Sequence, residues 1–579
     1  MFFSKLLPFN LNLSVKSFRI NFRNRHFKTK SSFTARDILE RSHGESGTLQ
    51  TRFIKYIALE NCKSENIVPK TVKYSQYYPL NTISEYEKLL LTTNQNQIPY
   101  VSIFTSTYKT NADPSNVASV ITCLDDLCCE NLANMDLDEI FRNLYSFMYL
   151  IPNKITKLRF YQSGLNAAVE QFSNAHTKRT FVQLSYYLGL SKGNYGISHL
   201  MKKFLKEFSE IYLDQLNSLD LAIVLNAAYK SSVLFDVKTY QDRTILEICE
   251  KEVDNDILIT LLKSLRLNRV KSDDVLHKLE NEIINNKRKF DFKGLCHIFA
   301  FFAENKYNKE EISQHIVEYC KGVLASVNVN NLVFNDVRPK DIATFLWCCA
   351  QLKTPSLGAD DLKYFENIIL KKISRNEYTK NFDELVDTCL SLWMLNYKSN
   401  NLLQEILKTC SSHSLDSKEK NTRVKLDSRF KLLINIAQID ELVNEVSKKS
   451  FHLSKDNPFD ENRVAPAFLL KNNKNLSRVN DLVKKHQQEL GVKNTKLVQP
   501  ILELNIPSVL IEFGENQKMF LEILDDSSKL RFNNEPNAII SLKIKTLLSL
   551  KQKVFLVNIE DEDKIADKLK SAIHNETIC

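Results

Sequence analysis

Glycine and proline are scarce in this 579-residue chain, at 11 and 13. Both residues punctuate turns and strands, so their scarcity favours long helices joined by short loops. No run of about 18 apolar residues occurs, and the sequence therefore offers no membrane-spanning helix. The 12 cysteines lack metal-ligand spacing: the close pairs, Cys128–Cys129 and Cys348–Cys349, are adjacent, and there is no C-x-x-C. Cys296 and His297 stand together in an apolar helical run with no further ligand nearby in sequence. These are expected to be buried free thiols of a reducing compartment. Acidic residues are absent before Asp37, whereas Lys5, Lys16, Arg19, Arg23, Arg25, Lys28, Lys30 and Arg36 all precede it.

That acid-free segment, residues 1–36, mixes basic, apolar and hydroxyl residues, the composition of an organellar transit peptide. It predicts a mitochondrial matrix address, with a plastid as the alternative and a disordered basic tail as the bland reading. The eight basic residues supply most of the formal charge of +10, leaving a nearly neutral body. Affinity for nucleic acid must therefore come from a local patch. Hydrophobic content of 43% and charged content of 26% are ordinary globular values, so a sizeable core can form.

A polar start followed by an apolar body recurs through the middle of the chain. It reads "EIFRNLYSFMYL" from Glu139, "RTFVQLSYYLGL" from Arg179, "DLAIVLNAAYKS" from Asp220 and "DILITLLKSLRL" from Asp256. It continues as "KGLCHIFAFFAE" from Lys293, "DIATFLWCCAQL" from Asp341 and "ELVDTCLSLWML" from Glu384, with a weak copy near Asp427. Spacings of 36 to 48 residues fit two helices and two loops, the unit of an α-solenoid. The alternative is one irregular helical domain. Trp347 and Trp393, inside these helices, are expected in the core. The uneven spacing argues against a strict one-base-per-repeat code.

Residues 37–114 read as an irregular N-terminal region, 115–460 as the helical array and 461–504 as basic linker helices. Over 465–500, Lys471, Lys474, Arg478, Lys484, Lys485, Lys493 and Lys496 face only Asp481 and Glu489. This is either a phosphate-contacting face or a solvated linker.

Residues 505–579 change character. "SVLIEF" and "KMFLEIL" are short strands joined by the turn "GENQ". A helix, "AIISLKIKTLLSL", a third strand, "KVFLVNIE", and a last helix, "DKIADKLKSAIHN", follow. The fold class is thus mainly α, an α-solenoid of helical-hairpin repeats with a small C-terminal α/β domain.

"MFLEILDDSSKLRFNN" followed by "SLKIKTLLSLKQKVFLVNI" resembles a RAP domain, the C-terminal module of FAST-kinase-like organellar RNA proteins. The apolar repeats, such as "RPKDIATFLWCCAQL", are similar to that family's heptatricopeptide-type repeats. Glu522 and Asp525 match the acidic strand, Lys543 and Leu548 the helix, and Val554, Phe555 and Val557 the last strand. The chain departs from the family at Asp526 and at Lys551–Gln552, where glycines are usual, and in "EDED", where an aromatic is usual.

The resemblance implies a restriction-endonuclease-like core and organellar RNA as partner. The protein would stabilise, position or help process that RNA, including rRNA within or during assembly of the mitochondrial ribosome, beside mitochondrial ribosomal proteins. Lys471, Lys474, Arg478, Lys484, Lys485, Lys543, Lys545, Lys551 and Lys553 are the expected RNA contacts. No cofactor is expected under that reading.

Two alternatives remain. A metal-dependent ribonuclease would use Glu522, Asp525 and Lys543 with Mg²⁺, but Glu522-Ile523-Leu524 lacks the acid-x-Lys pair that holds metal and water. Asp525 and Asp526 fit a turn cap equally well. A protein-interaction solenoid without RNA is the other, favoured by the near-neutral body.

Overall fold

The computed structural model describes residues 114–574 except 152–154, 175, 192–194, 235–237, 286, 326–336, 356, 380, 414–422, 444–456, 472 and 516. Before residue 114 it describes only Phe33–Thr34 and Thr71–Val72, which pair antiparallel. The expectations for 1–36 and 37–114 otherwise lie outside the described residues.

Helices alternate in pairs. The first helices are α2 (Leu137–Leu150), α4 (Lys178–Leu188), α6 (Ser218–Lys230), α8 (Asn255–Leu267), α10 (Phe292–Glu304), α12 (Pro339–Gln351), α14 (Phe382–Met394) and α16 (Arg423–Ile439). The second helices are α3 (Arg159–Phe172), α5 (Tyr195–Tyr212), α7 (Lys238–Glu250), α9 (Asp273–Ile284), α11 (Glu310–Ala325), α13 (Ala359–Ser374) and α15 (Asn400–His413), and α1 (Pro114–Asn131) precedes the series. The expected repeat starts fall in the first turns of the first helices. Polar residues there act as caps: Asp136, Thr177, Asn217 and Asp291 each accept a hydrogen bond from a backbone N–H three residues on.

The chain divides into two compact units, residues 1–270 and 271–579. In the first, α4, α6 and α8 pack side by side. In the second, α10, α12, α14 and α16 do the same. Sandwiched first helices bury almost every face: α10 hides Phe292, Leu295, Cys296, Ile298, Phe299, Phe301 and Phe302. Trp393 is buried and Trp347 half-buried, as core packing requires.

Six first helices end the same way. Ser232, Arg269, Lys306, Lys353, Asn396 and Glu441 have φ of 54°, 54°, 55°, 50°, 65° and 59°. In each, the next residue's N–H reaches back to the carbonyl five residues earlier, as Tyr307 does to Phe302 (2.9 Å) and Tyr397 to Leu392 (2.8 Å). This is the Schellman closure, built without glycine. A matching tie follows it twice: Tyr307 Oη donates to Glu280 on α9 (2.6 Å), and Tyr397 Oη to Glu366 on α13. These six turns and the two tyrosine–glutamate ties are the structural signature of the repeat.

The second unit ends in a mixed sheet. Strands β1 (Val492–Val498), β2 (Ser508–Phe513), β3 (Gln517–Leu524) and β4 (Lys553–Asn558) lie in the order β1-β2-β3-β4. The first three form an antiparallel meander, and β4 joins β3 in parallel. Helix α19 (Ala538–Ser549) makes that crossover. Helices α18 (Lys474–Lys485) and α20 (Glu562–His574) cover the other face, burying Leu476, Val479, Val483, Ile565 and Leu569 against Val509, Ile511, Met519 and Leu521.

The expected linker at 461–504 is therefore part of this domain: β1 pairs with β2 over most of its length, α18 packs on the sheet, and Val464 bridges to Val498. "VKNTKLV" is a polar edge strand whose lysines disguised it as linker.

The domain seats on three successive left-handed turns. The Lys306 carbonyl accepts from Arg531 N (3.2 Å), and the Lys306 ammonium donates to the Asp526 carbonyl. Asn308 Oδ1 accepts from Phe532 N (3.1 Å), Lys353 pairs with Glu535 (2.9 Å), and Lys545 donates to Asn396 Oδ1 (2.6 Å). Phe532 meets Tyr307 edge-on at 5.0 Å.

A Cβ in the left-handed region costs roughly 1–2 kcal/mol, partly offset by the entropy a glycine loses. Ser232, exposed at φ 54°, should thus tolerate glycine well. Ser232→Gly is expected to raise stability by up to about 1 kcal/mol, and Ser232→Val to lower it by at least as much. Urea midpoints of the two variants test this.

Candidate functional site

Along β3 the side chains alternate. Met519 and Leu521 enter the core beneath α18 and α20, and Glu522 points to the opposite face, beneath α19. Helix α19 is apolar nearly all round, with Ile540, Leu542, Thr546 and Leu547 buried. Its lysine at 543 has no solvent to reach. Lys543 Nζ donates to Glu522 Oε2 (2.8 Å) and to Ser508 Oγ (2.6 Å), and Ser508 Oγ donates to Glu522 Oε1 (2.6 Å). Glu522 is 1% exposed and Lys543 0%. Burial pushes the Lys543 ammonium below its ordinary range, and the facing Glu522 opposes that drop.

This corrects one expectation: Lys543 is not a surface contact for RNA. It is the internal partner of Glu522, because α19 lies directly over β3.

Asp525, one residue past β3, closes the following turn. Its Oδ1 accepts from Ser527 N (2.8 Å), Ser527 Oγ (2.6 Å) and Ser528 Oγ (3.0 Å), and its Oδ2 from Asn475 Nδ2 (3.0 Å). Burial alone would raise its pKa, but the bonds from Ser527, Asn475 and Ser528 prevail and hold it below the usual aspartate value. The turn's contribution to stability is therefore present above the ordinary aspartate pKa and is lost as pH falls through the lower folded value. The turn-cap reading of Asp525 is the one observed. Asp526 is exposed instead, and its carbonyl receives Lys306.

Glu522 and Asp525 both line a cavity of about 220 Å³ between β3, the start of α18 and the start of α19. Asn473, Asn475, Asn505 and Asn537 share its wall with Ser527, Ser528, Ile506, Pro507, Ile539 and Ile540. The asparagines were missed from sequence; their signal is clustering at element ends, in "KNNKN", "LELNIPS" and "NNEPN". Among the described residues, no group of three or more His, Cys, Asp or Glu is arranged to hold a metal ion.

The remaining cations divide. Lys471 ends the short helix α17 (Ala467–Lys471) and is exposed, as are Lys474, Arg478, Lys484 and Lys485 on α18. Helical spacing puts Lys474, Arg478 and Lys485 on one stripe, interrupted by Asp481. Lys551 is exposed at φ 58°, and Lys553 is half-buried at the start of β4. Lys545 is exposed but committed to Asn396, with burial and its neighbours Lys353 and Lys398 drawing its pKa down. Lys496 pairs with Glu512 (3.0 Å).

Breaking a buried pair strands one charge and typically costs about 3–5 kcal/mol, whereas an apolar pair of similar volume is near neutral. Lys543→Met and Glu522→Leu are each expected to destabilise by that order, and the double variant to recover most of the loss. Chemical denaturation of the three proteins would show it; additive losses would contradict the coupling. Comparisons with known protein families and with curated protein sequences found no match.

Proposed function

We propose that this protein binds single-stranded organellar RNA and holds it without cutting it, stabilising, positioning or aiding the processing of a transcript. Ribosomal RNA, within or during assembly of the mitochondrial ribosome, is the substrate that the RAP-like sequence favours. The observation that carries the reading is the exposed cationic stripe of α18, Lys474, Arg478 and Lys485, with Lys471 and Lys484 beside it. It flanks a polar cavity to which Asn475 of the same helix contributes. Ammonium and guanidinium groups spaced along a helix suit consecutive phosphates, and each contact releases counterions. The acid-free basic residues 1–36 support the mitochondrial address. Residues 1–40 fused to a reporter should carry it to mitochondria; a diffuse cytosolic signal would sink this address, and a plastid signal would change it.

A second reading has one observation in its favour: Glu522 and Asp525 line one cavity, and Lys543, the third residue a nuclease would need, pairs with Glu522 beneath it. Their bonding weighs against it. Both oxygens of Glu522 are taken by Ser508 and Lys543, and both of Asp525 by its turn and Asn475. Releasing either carboxylate for a metal would undo a buried network.

The test uses the full-length chain and labelled single-stranded RNA across a salt series. Replacing Lys474, Arg478 and Lys485 together by glutamine should weaken binding about uniformly across sequences. It should also flatten the log–log salt slope by about 2, near 0.7 per lost phosphate contact. RNA cleavage in Mg²⁺ or Mn²⁺ that Glu522→Gln abolishes, with the fold intact, would replace this reading by the nuclease. Absence of binding at low salt would leave a protein-interaction array.

A further inference from the structure

The cavity beside α18 has a chemistry that the cationic stripe lacks. Among the described residues no cation lines it: Lys543 lies beneath, its ammonium occupied by Glu522 and Ser508. Asp525 contributes a carboxylate to the wall, and the asparagines contribute neutral amides. Phosphate is therefore disfavoured inside, and hydrogen-bond donors are favoured.

Size narrows the occupant. At about 220 Å³ the cavity is below the roughly 300–1,000 Å³ of pockets that take drug-sized ligands. It suits one planar ring system, not a whole nucleotide. Ile506, Pro507 and Ile539 supply apolar surface for ring faces.

The amides retain capacity. Asn475 uses Nδ2 on Asp525, which leaves its Oδ1 without a protein partner among the described residues. Asn505 uses Oδ1 to accept from Gln499, which leaves its Nδ2 as a donor. Carboxylates and amide oxygens accept from base amino groups, as Asp does from cytosine N4 and Asn from adenine N6. Lys474 and Arg478 stand on the same helix as Asn475, positioned for the phosphates on either side of an inserted base.

We infer that this cavity takes one unstacked nucleobase of the bound RNA, its exocyclic amino group donating to Asn475 Oδ1 and to the second lone pair of Asp525 Oδ2, whose one bond, from Asn475 Nδ2, stays in place. The inference rests on the RNA-binding reading and gives the site a base preference: guanine, adenine or cytosine over uracil. A free nucleobase has the same edge, so the experiment separates it from a base carried by RNA.

Fluorescence anisotropy of the full-length protein, in EDTA, would use labelled eight-nucleotide oligouridine with one central substitution. Guanosine should bind more tightly than inosine, and adenosine more tightly than purine riboside, by about three- to tenfold, the worth of one hydrogen bond. Asn475→Leu and Asp525→Asn should each erase that difference and keep the salt slope. Asp525→Asn retains an acceptor for the turn, so it tests the charge without removing the cap.

Salt-dependent binding that is blind to the amino group would overturn this inference alone. So would discrimination that survives both variants, that appears only with a divalent metal, or that free guanosine competes away at the oligonucleotide's own affinity. Failure of every RNA to bind would overturn the RNA-binding reading with it.

Discussion

The left-handed turn that ends six of the first helices, four of them in the second unit, is the constraint on which that unit depends. Six side-chain-bearing residues occupy a backbone region that costs them of order 1 kcal/mol apiece. Two backbone hydrogen bonds hold each one there, and an apolar contact reinforces one of them, Tyr307 stacking on Phe302 at 5.5 Å. The turn folds the chain back into the second helix. In three successive repeats it also presents Lys306, Lys353 and Asn396 to the C-terminal domain. A glycine would make the same turn, but it would offer no ammonium or amide for docking. The chain's shortage of glycine and the seating of its last domain meet at those three positions.

Much of this was legible in the sequence. The repeat starts were visible because first helices are apolar on nearly every face and begin with a polar cap, a pattern robust to uneven spacing. Strand β3 showed a period of two, and β2 and β4 showed as short apolar runs. What failed was charge read as exposure. "VKNTKLV" looked like linker because an edge strand keeps polar side chains on its open side, and only its pairing with β2 reveals it.

Lys543 looked like a surface cation for the opposite reason. Its helix is apolar except along the side that carries Lys545, and Lys543, on the opposite side, finds its partner inside. That signal was present in "AIISLKIKTLLSL" and was overridden by residue type. The asparagines of the cavity carry no periodicity at all, and three dimensions were needed to assemble them.

The Glu522–Lys543–Ser508 network explains how a carboxylate can sit in a cavity wall without being available to it. Desolvating both groups is expensive, and the cost is offset only while every polar atom is bonded. Such a network fixes α19 over β3 at one register, because a slide by one residue would replace Lys543 with Leu542 or Ile544 opposite Glu522. Asp525, held by its own turn and by Asn475, fixes α18 to the same loop. The cavity is thus framed by two separate polar locks, and its shape is preset rather than adaptable.

The docking contacts also join parts of the chain made far apart in time. Asn396 and Lys545 are separated by 149 residues, and Lys306 and Asp526 by 220. At translation rates of about 5–20 residues per second, the three turns stand bare for roughly ten to forty seconds before their cover is synthesised. The hydrophilic character of Lys306, Lys353 and Asn396 suits that interval. An array that ended its helices in apolar turns would offer sticky surface to neighbouring chains, whereas these three positions present two ammonium groups and an amide.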